Sequence, residues 1–321
     1  MSTLKFILRR LLHLIPVVFI ISILLFGLSK AMPGDPVELM MPQQGFHSEE
    51  QRQMVYDAIE KKYGFDKSVP EQYWNWLKRS FQGDFGESIV HRRPVRDLLG
   101  PRLRNTLVLN LGVTVVSFIL SIFLGIKSAV KEGSFYDKFW QVLSIMGISL
   151  PTLFFGIALI YLFSLTLGWL PPGGMPRNNN FGEWVTYLIL PSITLLFGSM
   201  ASTYRYIRNS MLDVLGQDFV RTARAKGVSE HKVIYSHAFR NALIPVVTVF
   251  TWSLTGLLGG SAITESIFAY DGIGKFLISS VIARDYNVVM ALNMLYAVLS
   301  VLGNLIMDIG YSIVDPRVRL E

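Results

Sequence analysis

The chain has 321 residues, no cysteine and a formal net charge of +7, with 51% hydrophobic and only 17% charged residues. The absence of cysteine excludes disulfides and thiolate metal sites. A basic excess in so apolar a chain points to basic loops between membrane spans rather than to a nucleic-acid surface.

The apolar residues fall into six long runs. Crossing the hydrocarbon as a helix takes about 20 apolar residues. The first run is Leu11–Leu28, after Lys5, Arg9 and Arg10. Its length exceeds the roughly 7–15 residues of a signal peptide's apolar core, so a retained helix is expected, although Ser29-Lys30-Ala31 loosely fits a cleavage site. Further runs cover 106–126, 139–167, 185–204, 243–264 and 287–312, with Pro151 and Pro191 in or beside two of them. About six transmembrane helices are therefore expected, in an all-α integral membrane protein.

Six spans put both termini on one side. The short loops assigned inside hold Lys127, Lys131, Lys138, Arg205, Arg208, Arg221, Arg224, Lys226, Lys232 and Arg240, with Arg317 and Arg319 at the end. The two short outer loops hold Arg177, Lys275 and Arg284. This bias places both termini in the cytoplasm. The segments expected are 1–31 with the first span, an outer insertion over 32–103, and a core over 104–321 with a cytoplasmic loop at 205–241.

The outer insertion reads as two short amphipathic helices on the outer membrane surface or against other outer loops. Ser48-Glu49-Glu50-Gln51 is a capping box, followed by Met54, Val55, Ala58 and Ile59 on one face. Ser68-Val69-Pro70-Glu71 is a second box, followed by Tyr73, Trp76, Leu77 and Phe81. These helices either cover the bundle or shape an entrance for a partner.

The sequence offers no catalytic or metal constellation. The histidines form no H-x-x-x-H pair. Asp271-Gly272-Ile273-Gly274-Lys275-Phe276 lacks the glycine spacing and the Ser/Thr of a phosphate loop, so this chain is not expected to hydrolyse ATP or to need a cofactor. Buried ionisable groups are scarce in the spans, with His13, Lys30 and Asp308 near their ends. That scarcity speaks against an ion-coupled transporter and an intramembrane hydrolase. Hydroxyls and small residues crowd some spans: Ser144, Gly147 and Ser149 in the third; Thr248, Thr251, Ser253, Thr255, Gly256, Gly259, Gly260 and Ser261 in the fifth. They serve close helix packing, or a polar translocation wall formed by Ser149, Thr248, Thr251, Ser253, Thr255 and Ser261.

The inner loop from Tyr204 to Asn241 carries the sharpest signal. Gln217–Lys226 reads as a short helix closed by Gly227, and Ser229 as the cap of a second helix running to about Asn241. The loop either lies on anionic lipid or docks a cytoplasmic subunit. Asp218-Phe219-Val220-Arg221-Thr222-Ala223-Arg224-Ala225-Lys226-Gly227, with His237-Ala238-Phe239-Arg240-Asn241-Ala242-Leu243-Ile244-Pro245, resembles the EAA loop of ABC importer permeases, most of all the oligopeptide/dipeptide (peptide/nickel) branch. The E-A-A-x-x-x-G positions fall on Arg221, Thr222, Ala223 and Gly227; the general motif's later Leu-Pro falls on Phe239-Arg240 and is not kept. Pro33-Gly34-Asp35-Pro36, Gly83-Asp84-Phe85-Gly86-Glu87-Ser88, Leu170-Pro171-Pro172-Gly173-Gly174, Glu265-Ser266-Ile267-Phe268, Gly272-Ile273-Gly274 and Asp315-Pro316-Arg317 agree with it in order along the whole chain.

The resemblance implies a type I importer permease that pairs with a second, similar permease. It also implies two cytoplasmic ATPases, each gripping one coupling helix, an external solute-binding protein, and a peptide substrate. Asp218, Arg221, Thr222, Ala223, Arg224, Ala225, Lys226 and Gly227 become the ATPase-coupling residues, with Arg221 and Arg224 as polar contacts. A nickel-chelate or glutathione importer shares these motifs; an ion-coupled secondary transporter is the alternative from another class.

Overall fold

In hydrocarbon no water is present to take up backbone N–H and C=O groups, so apolar runs of this length are stable as helices. The computed structural model describes residues 3–31, 34–42, 45–176, 180–242, 246, 250, 253, 256–258 and 261–314. Among these residues there is no strand, and Glu87 and Pro94 form an isolated antiparallel bridge. The protein is an all-α, multi-pass membrane protein.

Helix α1 is Thr3–Ala31, α2 Pro36–Met40, α3 Glu49–Tyr63 and α4 Val69–Phe81. The run at 106–126 is the middle of a 36-residue helix, α5, Val95–Val130. At 1.5 Å per residue it is roughly 54 Å long, well beyond a hydrocarbon core of about 30 Å.

The run at 139–167 is not one straight span. Helix α6, Phe135–Ser149, and the segment Thr152–Thr166 meet at 106°. The second part begins as α7, Thr152–Leu159, and continues as a π-helix, Ile160–Thr166. Pro151 explains the break: its ring disfavours helical backbone at the residue before it, and Leu150 is extended with ψ 123°.

Helix α8, Phe181–Leu215, spans 35 residues and absorbs the start of the loop expected at 205–241. Helix α9, Asp218–Ala225, and α10, Glu230–Lys232, follow; a π-helix, Val233–Ala238, then leads into helical backbone through Ala242. A 3₁₀ turn, Gly256–Leu258, precedes α11, Ala262–Ile267; α12 is Ile273–Ile282 and α13 Tyr286–Val314. Among the described residues α5, α8 and α13 are long and apolar enough to cross a membrane, and α6 with 152–166 makes a fourth if the bent pair is one span. Most of the run at 243–264 lies outside the described residues, including Thr248, Thr251, Thr255, Gly259 and Gly260, as do Arg177 and Asp315-Pro316-Arg317.

The chain forms two units: Met1–Arg10, Arg104–Lys275 and Leu299–Glu321 make the first, Leu11–Leu103 and Phe276–Val298 the second. In the first unit α6 lies close on α8. A Cβ on Gly147 would stand 2.7 Å from the Phe197 carbonyl oxygen, and one on Gly125 would stand 2.8 Å from Ile207. Phe155 stacks on Phe197 with ring centroids 4.4 Å apart. These small residues thus serve packing, as membrane helix interfaces require.

In the second unit α4 packs along α1, and its Arg79 pairs with Asp84 in the following loop at 2.8 Å. The Tyr73 ring lies 6.1 Å from Phe19 and 5.4 Å from Phe26, and Trp76 lies 5.8 Å from Phe26. The Ser22 and Tyr73 hydroxyls are hydrogen-bonded at 2.8 Å. Two details of the sequence reading change. Ser48 caps α3 through the Gln51 N–H, but the Ser68 hydroxyl makes no cap bond, and Glu71 pairs with Lys67 at 2.8 Å. Met54, Ala58 and Phe81 are exposed, so the apolar faces are narrower than their spacing suggests.

Candidate functional site: a cytoplasmic elbow and a hydroxyl-lined cavity

The elbow begins where α8 stops. Gly216 and Gln217 separate Leu215 from α9, an eight-residue helix with Asp218 in its first turn and Arg224 in its last. Those charges suit the helix dipole at each end. Eight residues cannot hold a helix in water, so tertiary contact must. Val220 supplies it: fully buried, it joins Ile126, Ile207, Met211, Val214, Val233, Ala238 and their neighbours in one apolar core, with Ala223 partly buried beside it. The other face is exposed, and the contact it makes with the next helix is through Arg224. Asp218, Phe219, Arg221, Thr222, Arg224, Ala225 and Lys226 are all exposed.

Gly227 ends the helix at φ 74°, a left-handed conformation that glycine adopts without cost. A Cβ there would meet nothing within 4 Å, so the demand is conformational and not steric. The Ser229 hydroxyl makes no cap bond; its carbonyl oxygen accepts from the Lys232 and Val233 N–H groups. Of the two arginines, Arg224 already has a partner within the elbow. Its guanidinium donates to both Glu230 oxygens, at 3.2 and 2.7 Å. That contact holds the Glu230 carboxyl below its ordinary value and raises Arg224. Arg221 lies 3.5 Å from Asp218, and both side chains are largely exposed.

Sequence reasoning missed what holds the elbow's root. Asp137 in α6 is fully buried and takes two hydrogen bonds from Arg208 in α8, at 2.6 and 2.7 Å. The Gly133 N–H donates a third, at 3.0 Å. The Tyr204 hydroxyl reaches the Ser128 hydroxyl of α5 at 2.9 Å. The inner ends of α5, α6 and α8 are thus cross-linked just before the elbow. A signal was present: Ser134-x-x-Asp137 is a helix-start pattern, and Ser134 accepts from the Asp137 N–H.

A cavity of about 280 Å³ lies between α5, α8 and residues Ser253, Gly256, Leu257 and Ser261. Asn110, Thr114 and Ser117 line it from α5, Ser199 and Thr203 from α8, with Ser253 and Ser261 opposite. Ser199 donates to Ser117 at 3.2 Å, and the Asn110 amide donates to the Leu257 carbonyl oxygen at 2.8 Å. Of the residues expected on a polar path, Ser253 and Ser261 are brought to this cavity. Ser149 is exposed at the α6 break and does not line it. The α5 and α8 hydroxyls were not expected, because single polar residues in an apolar run read as packing.

On the side the charge bias puts outside, the two glycine-marked loops interlock. The Gly174 N–H donates to the Phe268 carbonyl oxygen at 2.7 Å, and a Cβ on Gly173 would stand 2.2 Å from that oxygen. Glu265, fully buried, accepts from Thr106 at 2.8 Å and from the Lys275 N–H at 2.9 Å. A Cβ on Gly272 would stand 2.4 Å from the same carboxyl group. The Gly-x-Gly pattern here makes room for a buried acid and not for a phosphate. In the second unit Asp285 has a similar role, accepting from the Ser88 hydroxyl and from the Ile89 N–H at 3.1 Å.

Two known families cover most of the chain, divided near residue 110, whereas the second structural unit also takes in 276–298. The family described as binding-protein-dependent transport system inner membrane component matches residues 118–320, which include the elbow and both its roots. The N-terminal family of the same transport systems matches residues 3–110. The chain belongs to the binding-protein-dependent transport system permeases. It is 43% identical over 318 residues to the oligopeptide transport system permease protein AppB of Bacillus subtilis, covering 98% of this chain and 99% of that one. It is 39% identical to the glutathione transport system permease protein GsiC of Escherichia coli K12, covering 99% and 100%. Among solved structures, the MetNI methionine ABC transporter matches with a TM-score of 0.52 at 20% identity, over 69% of this chain and 97% of that one, a likeness of fold. The protein is thus a permease subunit of an ABC importer, the membrane pathway of a machine whose family takes its name from a binding protein.

Proposed function

We propose that this permease carries peptides inward through the hydroxyl-lined cavity between α5 and α8, driven by two cytoplasmic ATPases that grip α9. One observation carries the reading: α9 is anchored by Val220 on one face and exposed on the other, at the end of a helix cross-linked to its neighbours. A short rigid helix held this way transmits force; a solvated loop does not. ATP binding would draw the ATPases together and move α9, and with it the inner ends of α5, α6 and α8. A second permease would complete the passage, and an external binding protein would deliver the substrate.

Asp218, Arg221, Thr222, Ala223, Arg224, Ala225, Lys226 and Gly227 form the coupling element. Arg221 is the better candidate for an ATPase contact, since Arg224 is committed to Glu230. Peptide as substrate draws on the oligopeptide permease among the relatives; glutathione, itself a small peptide, is the second reading, drawn from the other relative. The test is uptake by the assembled importer in vesicles loaded with ATP. Binding-protein-dependent uptake of short peptides supports the first reading. Uptake confined to glutathione supports the second. Uptake driven by a proton gradient without ATP would overturn both.

A further inference from the structure

The inner end of α5 borders a cavity separate from the one between α5 and α8. Lys127 and Lys131 stand about one turn apart, beside this cavity of about 370 Å³ between α5, the start of α6 and the π-helical turn 233–238. Phe123, Leu124 and Val130 form its apolar wall, and Tyr235 stands opposite with Ile234. Lys127 Nζ lies 4.7 Å from the centre of the Tyr136 ring. Among the described residues neither lysine is in an ion pair, and neither is Glu132, the acid next along the chain.

Depth decides what this cavity suits. Phe123 lies in a helix long and apolar enough to cross a membrane, one turn nearer its middle than Lys127, and is 65% exposed. From Phe123 to Lys131 the helix rises roughly 12 Å. That distance takes in a phosphate at the lysines and the first acyl carbons at the phenylalanine. A protein partner in water would not reach Phe123. A lysine that merely snorkels needs no concave wall. The charge bias puts this end at the cytoplasmic leaflet, where anionic lipid draws basic residues.

We propose that this cavity is a binding site for an anionic phospholipid of the cytoplasmic leaflet, its phosphate between Lys127 and Lys131 and its acyl chain along Phe123 and Val130. The lipid would touch the π-helical turn whose other side, Val233 and Ala238, packs with Val220 of the elbow. The site stands on the cavity and the lysines, independently of the transported substrate.

The test uses the assembled importer, moved from membranes into discs of phosphatidylcholine with a minor share of phosphatidylglycerol, and reads retained lipid by native mass spectrometry. Retention of phosphatidylglycerol over phosphatidylcholine is expected. It should fall roughly fivefold for each of Lys127→Gln and Lys131→Gln, while Lys131→Arg keeps it. Phe123→Ser, which leaves both charges, should also weaken it. Equal retention by wild type and the double variant, displacement by inorganic phosphate as effective as by phosphatidylglycerol, or a cross-link from position 131 to an ATPase subunit instead of to lipid would overturn the proposal.

Discussion

Arg208 grips the buried carboxylate of Asp137 with two hydrogen bonds, 2.6 and 2.7 Å, at the point where α8 leaves α6 and runs on to the elbow. Removing one partner of such a pair leaves the other charge buried and alone, at about 3–5 kcal/mol. Asp137→Ala is therefore expected to lower thermal stability of the purified permease sharply. Arg208→Lys, which keeps the charge but loses the planar fork, should cost less in stability and still weaken transport. Unchanged melting in Asp137→Ala would show that the pair holds nothing.

Gly227 tests conformation apart from bulk. With φ at 74° and open space where a Cβ would go, any loss on substitution comes from the backbone, about 1–2 kcal/mol for a residue that resists the left-handed region. Gly227→Val should reach the membrane at normal levels and fail in uptake; Gly227→Asn, which tolerates this conformation, should retain a substantial part. Equal uptake by Val and Gly would remove the coupling role.

The Arg224–Glu230 pair fastens α9 to α10, and its pH dependence has a definite sign. Glu230 titrates below its ordinary 4.5 because Arg224 holds it charged. Its contribution is therefore complete above that ordinary value and is lost as pH falls through the lower folded-state value. Amide exchange in the elbow should be insensitive to pH-dependent opening from neutrality down to about 4.5, and increase only under stronger acid. Glu230→Gln should show the loosened pattern at neutral pH. Loosening near pH 6 in the wild type would assign the effect to another group.

Gly173 and Gly174 separate two costs in adjacent residues. Both have positive φ, but a Cβ on Gly173 would stand 2.2 Å from the Phe268 carbonyl oxygen while one on Gly174 would meet the Tyr187 ring at 3.5 Å. Gly173→Ala should thus destabilise the interlocked loops well beyond Gly174→Ala, read as folded yield in detergent. Equal yields would mean that the loops part without consequence.

Residue patterns made the helical spans, the capped α3 and the elbow with its terminal glycine legible, because each rests on local chemistry. The bend at Pro151 was half legible: the proline was plain, but an apolar run looks the same straight or folded at 106°. Asp137, Glu265 and Asp285 escaped because their partners, Arg208, Thr106 and Ser88, are distant in sequence. Charge counting assigned Arg208 to a basic loop because it could not see that α8 continues through it to Leu215. The α5 and α8 hydroxyls converge on one cavity only after both helices are placed.

The chain contains no cysteine, so a single Thr222→Cys on the exposed face of α9 reports its own surroundings. In the assembled importer that thiol should be blocked by a membrane-impermeant reagent only from the cytoplasmic side. It should also cross-link to an ATPase subunit, with a yield that changes when ATP binds. Labelling from outside intact cells, or no ATPase cross-link in an importer active for uptake, would contradict the coupling account at its centre.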